Sequence, residues 1–368
     1  MAPRGDGGHA ELAQSSRRSR AQKKRVRTRY AALDLGTNSC RMLIAEPDGR
    51  GFKIIDAFSK SVRLGEDLER TGFIGRDAQN RTVQALHVCA GKLKRAGVTN
   101  QRLVATEACR RAKNGKGFLR RVQKETGLRL EVIRPQEEAR LAVISCGSLV
   151  SPESEQVLVV DIGGGSTELV WVDLSHVAPE KRVKAMLKLR FSRRHVPGPN
   201  EARLVDWISV PLGVATLFER YKDVEDDGAR FALMSWLFEE HVADFAPYED
   251  GEERIGNGKF QIVGTSGTVT TVGAAHLGLT RYDRKLVDGM QMTGDEIDAV
   301  VREFLVLGPE GRRRDPRIGK DRVELIMSGA AILQTLLRLW PTDMLSVADR
   351  GLREGMLFSM MNAAGERK

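Results

Sequence analysis

Two short apolar runs, joined by a small polar turn, form the first ordered pattern along the chain. The runs cover residues 30–35 and 40–46, and their length and flanking turn residues predict two β-strands. The turn between them consists of Gly36, Thr37, Asn38 and Ser39.

A second copy of this arrangement follows, with strands predicted over residues 157–162 and 168–172. Superimposing the two copies places Asp34 on Asp161, and the first glycine of one turn on the first glycine of the other, at a constant offset of 127 residues. Such an internal repeat predicts two related lobes, each presenting one loop. The second turn consists of Gly163, Gly164, Gly165, Ser166 and Thr167.

Helical and strand patterns alternate over the rest of the chain, which predicts an α/β fold. Apolar spacing typical of a helix spans residues 78–96, and acidic residues after Pro135 indicate the first turn of another helix. A third glycine-containing loop, residues 264–268, follows a predicted strand. The other predicted elements are strands over residues 103–106, 131–133 and 260–263, and helices over residues 137–144, 270–276 and 353–361.

Length and composition suit a globular protein of two domains. The chain has 368 residues, of which 41% are hydrophobic and 29% charged. No apolar run reaches the roughly 20 residues that span a bilayer, and no secretory signal is visible. We therefore expect a cytoplasmic protein that makes no membrane contact and keeps its thiols reduced. Its widely spaced cysteines are Cys40, Cys89, Cys109 and Cys146.

The net charge of +10 is concentrated at the N-terminus, where residues 1–29 hold nine Lys or Arg against Asp6 and Glu11. Because this segment has little apolar surface to bury, we expect a disordered basic tail over residues 1–28. Three interpretations stay open for it. It is a solvated tail, an arm for non-specific contact with polyanions, or an organellar transit peptide.

Residues 176–205 form a second basic stretch, which predicts either a lengthened hairpin or a crossover after the second glycine turn. Two functional interpretations apply to it. It is either a solvated charge run or a basic wall that guides a long polyanion. Its cations are Lys181, Arg182, Lys184, Lys188, Arg190, Arg193, Arg194 and Arg203.

The matched turns predict a phosphate-binding site. Tight glycine turns let backbone N–H groups converge on phosphate oxygens without obstruction by side chains. Carboxylates at the ends of the flanking strands indicate Mg²⁺ or Mn²⁺, because these hard cations bind oxygen ligands and bridge to phosphates. The third loop adds Gly264, Ser266, Gly267 and Thr268 to the site. The predicted metal ligands are Asp34, Asp161 and Glu168.

Six segments, taken in order, carry a resemblance to a known family. They are DLGTNSCRMLI at 34–44, TEACRRAKN at 106–114, EEARLA at 137–142, DIGGGSTELV at 161–170, GTSGTVTTV at 264–272 and DRGLREG at 349–355. Together they resemble the Ppx/GppA phosphatases, which comprise exopolyphosphatase and guanosine pentaphosphate phosphohydrolase. The resemblance implies two ribonuclease-H-like lobes of the actin, Hsp70 and sugar-kinase superfold around a central cleft. Lobe I would hold residues 29–141 and 350–368, and lobe II residues 142–349.

The resemblance also implies roles for individual residues. Glu138 matches the family's catalytic base, with Glu137 beside it in the acidic pair, and Arg110 matches an arginine that contacts phosphate. Asp161 and Glu168 match the family's metal-linked acids. Glu138 would activate a water molecule that attacks the terminal phosphoryl group, so that no nucleophilic side chain is needed.

Two departures from the family pattern stand out. Arg134, Pro135 and Gln136 replace the Ser-Gly that usually precedes the acidic pair, and the proline restricts Arg134 to an extended backbone. Longer family members also carry a C-terminal helical domain with a His-Asp motif, and this sequence contains no His-Asp pair. We hypothesise that the basic residues from 181 to 203 substitute locally for that domain.

The leading prediction is an exopolyphosphatase that releases orthophosphate from the ends of inorganic polyphosphate. The main alternative is a guanosine pentaphosphate (pppGpp) 5'-phosphohydrolase, since both substrates end in a phosphoanhydride. A kinase of the same superfold and a non-catalytic sensor of alarmone or polyphosphate represent other classes. Two-lobed relatives often pair, so a homodimer is a further expectation.

Overall fold

The computed structural model of the chain describes residues 28–49, 51–256 and 258–365. It contains two β-sheets covered by helices, which confirms the predicted two-lobed α/β class. The basic tail predicted over residues 1–28 lies outside the described residues, apart from Thr28. Within the described ranges, no helix has the length and apolar character needed to cross a membrane.

The first sheet is built from the N-terminal third of the chain. Strands β1 (Tyr30–Leu35), β2 (Ser39–Asp48) and β3 (Gly51–Ser61) form an antiparallel meander. Strands β4 (Asn100–Ala105) and β5 (Glu131–Val132) extend the sheet in parallel with β1, in the order β3-β2-β1-β4-β5. Strand β3 was not predicted, because it lies at the sheet edge and none of its residues is buried.

The second sheet repeats this topology. An antiparallel meander is followed by two parallel strands, and a short additional strand pairs at the edge, in the order β10-β11-β9-β6-β7-β8. The repeated order agrees with the internal repeat predicted from the sequence. The strands are β6 (Gln156–Ile162), β7 (Thr167–Asp173), β8 (Arg203–Val210), β9 (Phe260–Thr265), β10 (Gln291–Met292) and β11 (Leu345–Ala348).

Helices cover both faces of each sheet. On the first sheet, α2 to α4 pack on one face and α14 on the other. On the second, α8, α10, α12 and α13 pack on one face, and α5 and α6 on the other. The helices are α1 (Leu68–Thr71), α2 (Arg76–Ala96), α3 (Glu107–Arg111), α4 (Gly115–Thr126), α5 (Pro135–Cys146), α6 (Arg182–Leu187), α7 (Val214–Tyr221), α8 (Asp227–Val242), α9 (Pro247–Ile255), α10 (Gly267–His276), α11 (Arg284–Val287), α12 (Gly294–Arg314), α13 (Ile326–Leu339) and α14 (Leu352–Ala363).

Helix α5 lies between the sheets and contacts both. Leu141 packs with the first sheet and α14, whereas Ala139 and Val143 pack against the second sheet. Helices α5 and α14 cross so closely that a Cβ atom on Gly355 would lie 2.3 Å from the backbone oxygen of Leu141. Since Glu138 lies in the first turn of α5, this crossing fixes its position relative to both sheets. The division of the lobes at residue 141 stays a prediction.

The basic stretch forms the lengthened hairpin, one of the two predicted alternatives. Strands β7 and β8 are antiparallel neighbours, and residues 174–202 join them through a 3₁₀ turn and α6. Pro135 is the first residue of α5, and the preceding Arg134 has the extended backbone that a following proline favours, with φ −79° and ψ 154°.

Replacing Gly355 by Ala is expected to lower the free energy of unfolding by about 1–3 kcal/mol, because the added methyl group would force α5 and α14 apart. Urea denaturation measures the change. The matched control is Gly117→Ala in helix α4, where a Cβ atom would meet nothing nearer than the Arg120 guanidinium at 3.8 Å. That variant should be neutral or more stable by up to about 1 kcal/mol. Equal stability of the two variants would contradict the close crossing.

Candidate active site

The two matched turns meet across the cleft between the sheets. Each is closed by the same backbone hydrogen bond, from its first glycine to its serine, at 3.0 Å in the first turn and 2.9 Å in the second. Glycine is needed where they touch, since a Cβ atom on Gly165 would lie 2.3 Å from Thr37 Oγ1. The structure thus brings both turns into one site. The turn residues that line the cleft are Gly36, Thr37, Asn38, Ser39, Gly163, Gly164, Gly165 and Ser166.

The third loop reaches the same cleft from the end of β9. Ser266, Gly267 and Thr268 line the cleft there. Ser266 Oγ accepts hydrogen bonds from the backbone N–H groups of Thr268 (3.0 Å) and Val269 (3.1 Å), and so caps α10. The positive end of a ten-residue helix therefore adjoins the cleft, where it favours anions.

Seven acidic residues line this cleft, and four of them, from both lobes, are predicted site residues: Asp34, Glu138, Asp161 and Glu168. The others are Glu107, Asp321 and Asp349. Asp161 and Glu168 stand opposite each other on β6 and β7. Glu168 is only 1% exposed, and its Oε1 accepts hydrogen bonds from the Ser166 and Ser209 hydroxyls at 2.8 and 2.7 Å. Two serine donors hold this carboxylate in one orientation.

Burial is the largest cause of a raised pKa at all four carboxyl groups. Repulsion from Glu168 further raises the pKa of both Asp161 and Glu138, while Arg110 opposes the rise at Glu138. The pKa of Glu168 is raised to about 7, with its serine hydrogen bonds limiting the rise. The cleft therefore concentrates negative charge that its own cations offset only in part.

The carboxylates fit a divalent cation that is shared with a phosphate substrate. Asp34 Oδ1 is buried and has no hydrogen-bond partner among the described residues. Within the described residues, no group of three His, Cys, Asp or Glu side chains is placed so that it could hold a metal ion without further ligands. Mg²⁺ commonly combines one or two carboxylates with water and substrate phosphates. Asp34, Asp161 and Glu168 are therefore suited to hold a cation together with phosphate oxygens.

Arg110 holds Glu138 and does not line the cleft. Its Nη1 lies 3.3 Å from Glu138 Oε2 and donates to the Ile133 carbonyl at 2.9 Å. Its Nε donates to Glu107 Oε2 at 3.0 Å. The guanidinium thus contacts Glu138, Glu107 and the Ile133 carbonyl, and the phosphate contact expected for Arg110 stays a prediction.

Three other predicted site residues lie away from the cleft. Glu137 points outward and accepts hydrogen bonds from Arg102 (2.7 Å) and Arg140 (2.7 and 3.0 Å), so its placement does not support a catalytic role. Thr167 is buried and donates to the Leu212 carbonyl at 2.8 Å. Gly264 is enclosed within β9.

Sequence reasoning missed four arginines that line the cleft: Arg41, Arg322, Arg350 and Arg353. Arg41 stands opposite Asp34 on β2. Arg353 lies in the first turn of α14, and Arg322 donates to the Gly267 carbonyl at 3.0 Å. Burial lowers the pKa of Arg41 and Arg322. Arg41 and Arg353 lie in segments that match the family, and that position could have identified them as site residues. Arg322 lies in none of these segments.

The cysteines take no part in the chemistry of the cleft. All four are buried and free, as expected for reduced thiols. Cys40 and Cys109 lie within the family-like segments but pack inside the first lobe. Burial raises the pKa of the Cys109 thiol to about 12, so it stays protonated and is a poor nucleophile.

Fold and site together define a two-lobed phosphohydrolase with glycine turns, arginines and carboxylates around one cleft. The Ppx/GppA phosphatase family matches residues 43–364, and the chain therefore belongs to that family. This assignment confirms the resemblance found in the sequence and the prediction of a hydrolase acting on phosphorus-containing anhydrides.

Individual relatives resemble this chain over both lobes. A Haemophilus influenzae protein named as a candidate exopolyphosphatase is 25% identical over 337 residues, which is 90% of each chain. The structure of an exopolyphosphatase-like protein is 27% identical, with a TM-score of 0.74 over 92% of this chain and 100% of that one. A Ppx/GppA family member from Aquifex aeolicus is 29% identical, with a TM-score of 0.67 over 92% and 98%.

Replacing Gly165 by Ala is expected to slow phosphate release from polyphosphate by about 100-fold, because a Cβ atom there would push the two turns apart and misplace the reacting groups. A phosphate-release assay measures the rate. The control is Gly75→Ala, at a glycine with nothing within 4 Å of its Cβ position, which should keep full activity. Full activity in the Gly165 variant would show that the turns need not touch.

Proposed function

We propose that this chain is an exopolyphosphatase that hydrolyses the terminal phosphoanhydride bond of inorganic polyphosphate, with Glu138 as general base. The observation that carries this proposal is the position of Glu138. Its side chain lines the cleft beside both glycine turns, the residue is 8% exposed, and Arg110 holds its carboxylate at 3.3 Å. A carboxylate so placed is suited to take a proton from water attacking a bound phosphoryl group.

In the proposed reaction, Glu138 accepts a proton from the attacking water while the new O–P bond forms. The bond from phosphorus to the bridging oxygen breaks, the shortened chain leaves with the electron pair, and orthophosphate is released. Glu138 then returns the proton to solvent. A divalent cation, Mg²⁺ or Mn²⁺, held with the help of Asp34, Asp161 and Glu168, would offset the negative charge of the phosphate oxygens.

The cleft arginines are the proposed ligands of the phosphate chain. Within the described residues, the side chains of Arg41 and Arg353 make no hydrogen bond to protein, so their N–H groups are available to substrate. The transition state of phosphoryl transfer is loose and spreads charge over the phosphate oxygens. Positioned N–H donors of the turns and guanidinium groups therefore supply much of its stabilisation.

Relatives support polyphosphate as the leading substrate. The H. influenzae protein and the exopolyphosphatase-like structure both carry that activity in their names. Guanosine pentaphosphate presents the same terminal phosphoanhydride, so the same residues would serve it. It is the alternative substrate, and a non-catalytic sensor is the alternative class.

Replacing Glu138 by Gln should reduce orthophosphate release from long-chain polyphosphate by about 100- to 10,000-fold, because the amide cannot accept the proton of the attacking water. Release is measured with Mg²⁺ or with EDTA, and with pppGpp in parallel. The matched control is Glu137→Gln, whose carboxylate lies outside the cleft and should be dispensable for turnover.

Three outcomes would change the assignment. Release from pppGpp alone would make the chain a pentaphosphate 5'-phosphohydrolase with the same residues. No release from either substrate would leave the sensor as the better description. An equal loss in the Glu137 and Glu138 variants would remove the argument for Glu138 as base.

Replacing Arg353 by Gln should lower kcat/KM for polyphosphate by about 10- to 100-fold, the expected loss of a charged hydrogen bond to a phosphate oxygen. Steady-state kinetics measure the fall in kcat/KM. An unfolding measurement on the same protein shows whether the variant has also lost stability. Arg121→Gln, which removes an exposed ion pair to Glu125 in helix α4, should leave kcat/KM unchanged. A similar kcat/KM for wild type and the Arg353 variant would exclude Arg353 as a phosphate ligand.

A further inference from the structure

The connection between β7 and β8 is anchored to the body of the protein. Arg182, at the start of α6, is only 4% exposed. Its Nε donates to the Val177 carbonyl at 3.0 Å and its Nη1 to the Pro152 carbonyl at 2.6 Å, with Glu155 Oε1 3.5 Å from Nη2. This arginine fixes the helix, so the basic side chains that follow it project from an ordered surface.

A second anchor lies further along the same connection. Arg193 Nη2 donates to the Trp207 carbonyl at 2.7 Å and forms an ion pair with the buried Asp206. Its guanidinium also lies over the Trp207 ring, 6.0 Å from the centroid. Arg193 therefore holds the loop in place and is not available to a ligand.

Apart from the two anchoring arginines, cations of this connection line a pocket between α6 and the following loop. Four of its lining side chains are positively charged, and one, Glu201, is negative. Glu201 Oε2 already accepts hydrogen bonds from His195 (3.0 Å) and from the Gly198 N–H (3.1 Å). The pocket thus keeps a net positive charge with few protein acceptors, which suits a polyanion. Its cations are Lys181, Lys184, Lys188 and Arg190.

This pocket adjoins the N-terminal end of the catalytic helix. Gln136, in the first turn of α5, donates its side-chain N–H to the Phe191 carbonyl at 3.1 Å, directly after Arg190. Phe191 lines a neighbouring groove with Arg134 and Ile133. The Ile133 carbonyl is the acceptor that binds Arg110, which in turn holds Glu138. The pocket beside α6 is therefore continued by a groove that Arg134 lines, whereas the groove's Arg102 and Arg140 are ion-paired with Glu137.

We propose that this pocket and the adjoining groove form a second binding site for the distal phosphates of a long polyphosphate chain whose terminal phosphoryl group occupies the cleft. The inference rests on the proposed function for the identity of the polymer. The proposed second site requires a chain long enough to occupy the cleft and the pocket at once, which we do not expect of tripolyphosphate. Loss of the second site should therefore weaken the binding of long chains and leave the binding of short chains unchanged.

The test compares wild type with the triple variant Lys184→Gln/Lys188→Gln/Arg190→Gln. We expect KM for long-chain polyphosphate to rise about tenfold, because the local attraction for the polyanion is lost. KM and kcat for tripolyphosphate should stay at their wild-type values. The matched control, Lys116→Gln/Arg120→Gln/Lys124→Gln, removes the same charge from the exposed face of α4 and should leave both substrates unaffected. An unchanged KM for long chains, or an equal rise for tripolyphosphate or in the control, would overturn the proposal.

A binding measurement separates this proposal from the proposed function. Fluorescence anisotropy of end-labelled long-chain polyphosphate is recorded with the Glu138→Gln protein, with and without the triple substitution. Weaker binding in the triple variant supports the second site even if no substrate is hydrolysed. Equal binding in the two proteins contradicts it even if hydrolysis is confirmed. A urea unfolding curve that matches wild type ensures that a loss of binding does not come from misfolding.

Discussion

The crowding of carboxylates in one cleft is the constraint around which this structure is built. Asp34, Glu138, Asp161 and Glu168 come from both lobes, and burial raises the pKa of each. Buried acids that face one another are costly unless donors or cations compensate them. The protein supplies this compensation unevenly and leaves Asp34 Oδ1 without a hydrogen-bond partner among the described residues, which fits the proposed binding of a cation there. The compensating groups are Ser166 and Ser209 on Glu168, Arg110 on Glu138, and Arg41 and Arg353 near Asp34.

The position of the base depends on how the lobes are joined. Glu138 projects from a helix that packs on both sheets, and that helix is held by its crossing with α14 at Gly355. The same α14 carries Arg353 into the cleft, close to Asp34. One pair of crossing helices therefore positions both the proposed base, Glu138, and a proposed phosphate ligand, Arg353, relative to the glycine turns. A change in the relative position of the lobes would move these groups together.

Local sequence patterns predicted the parts of this site that depend on local structure. Glycine turns between short apolar strands are visible in sequence because turn and strand are made by neighbouring residues. Helix α13 was not predicted although it carries a helical signal, since Gln334, Thr335 and Arg338 recur at helical spacing in an otherwise mainly apolar run. Helix α12 did carry a signal, the capping box of Thr293 and Glu296, which was not used. Ser209 and Arg322 could not be placed, since only the tertiary fold brings them to the cleft.

The repeat is symmetric in backbone and asymmetric in charge. Asp34 and Asp161 occupy equivalent strand ends, and each faces one residue on the next strand. That residue is Arg41 in the first lobe and Glu168 in the second, at the same offset of 127 residues. A perfect repeat of the second copy would place four carboxylates and no guanidinium at these positions. Divergence at this single position gives the first lobe a guanidinium, a proposed ligand of phosphate oxygens, and the second lobe a carboxylate, a proposed ligand of a cation. Two copies of one strand-turn-strand unit thus provide the two kinds of charge that phosphoryl transfer needs.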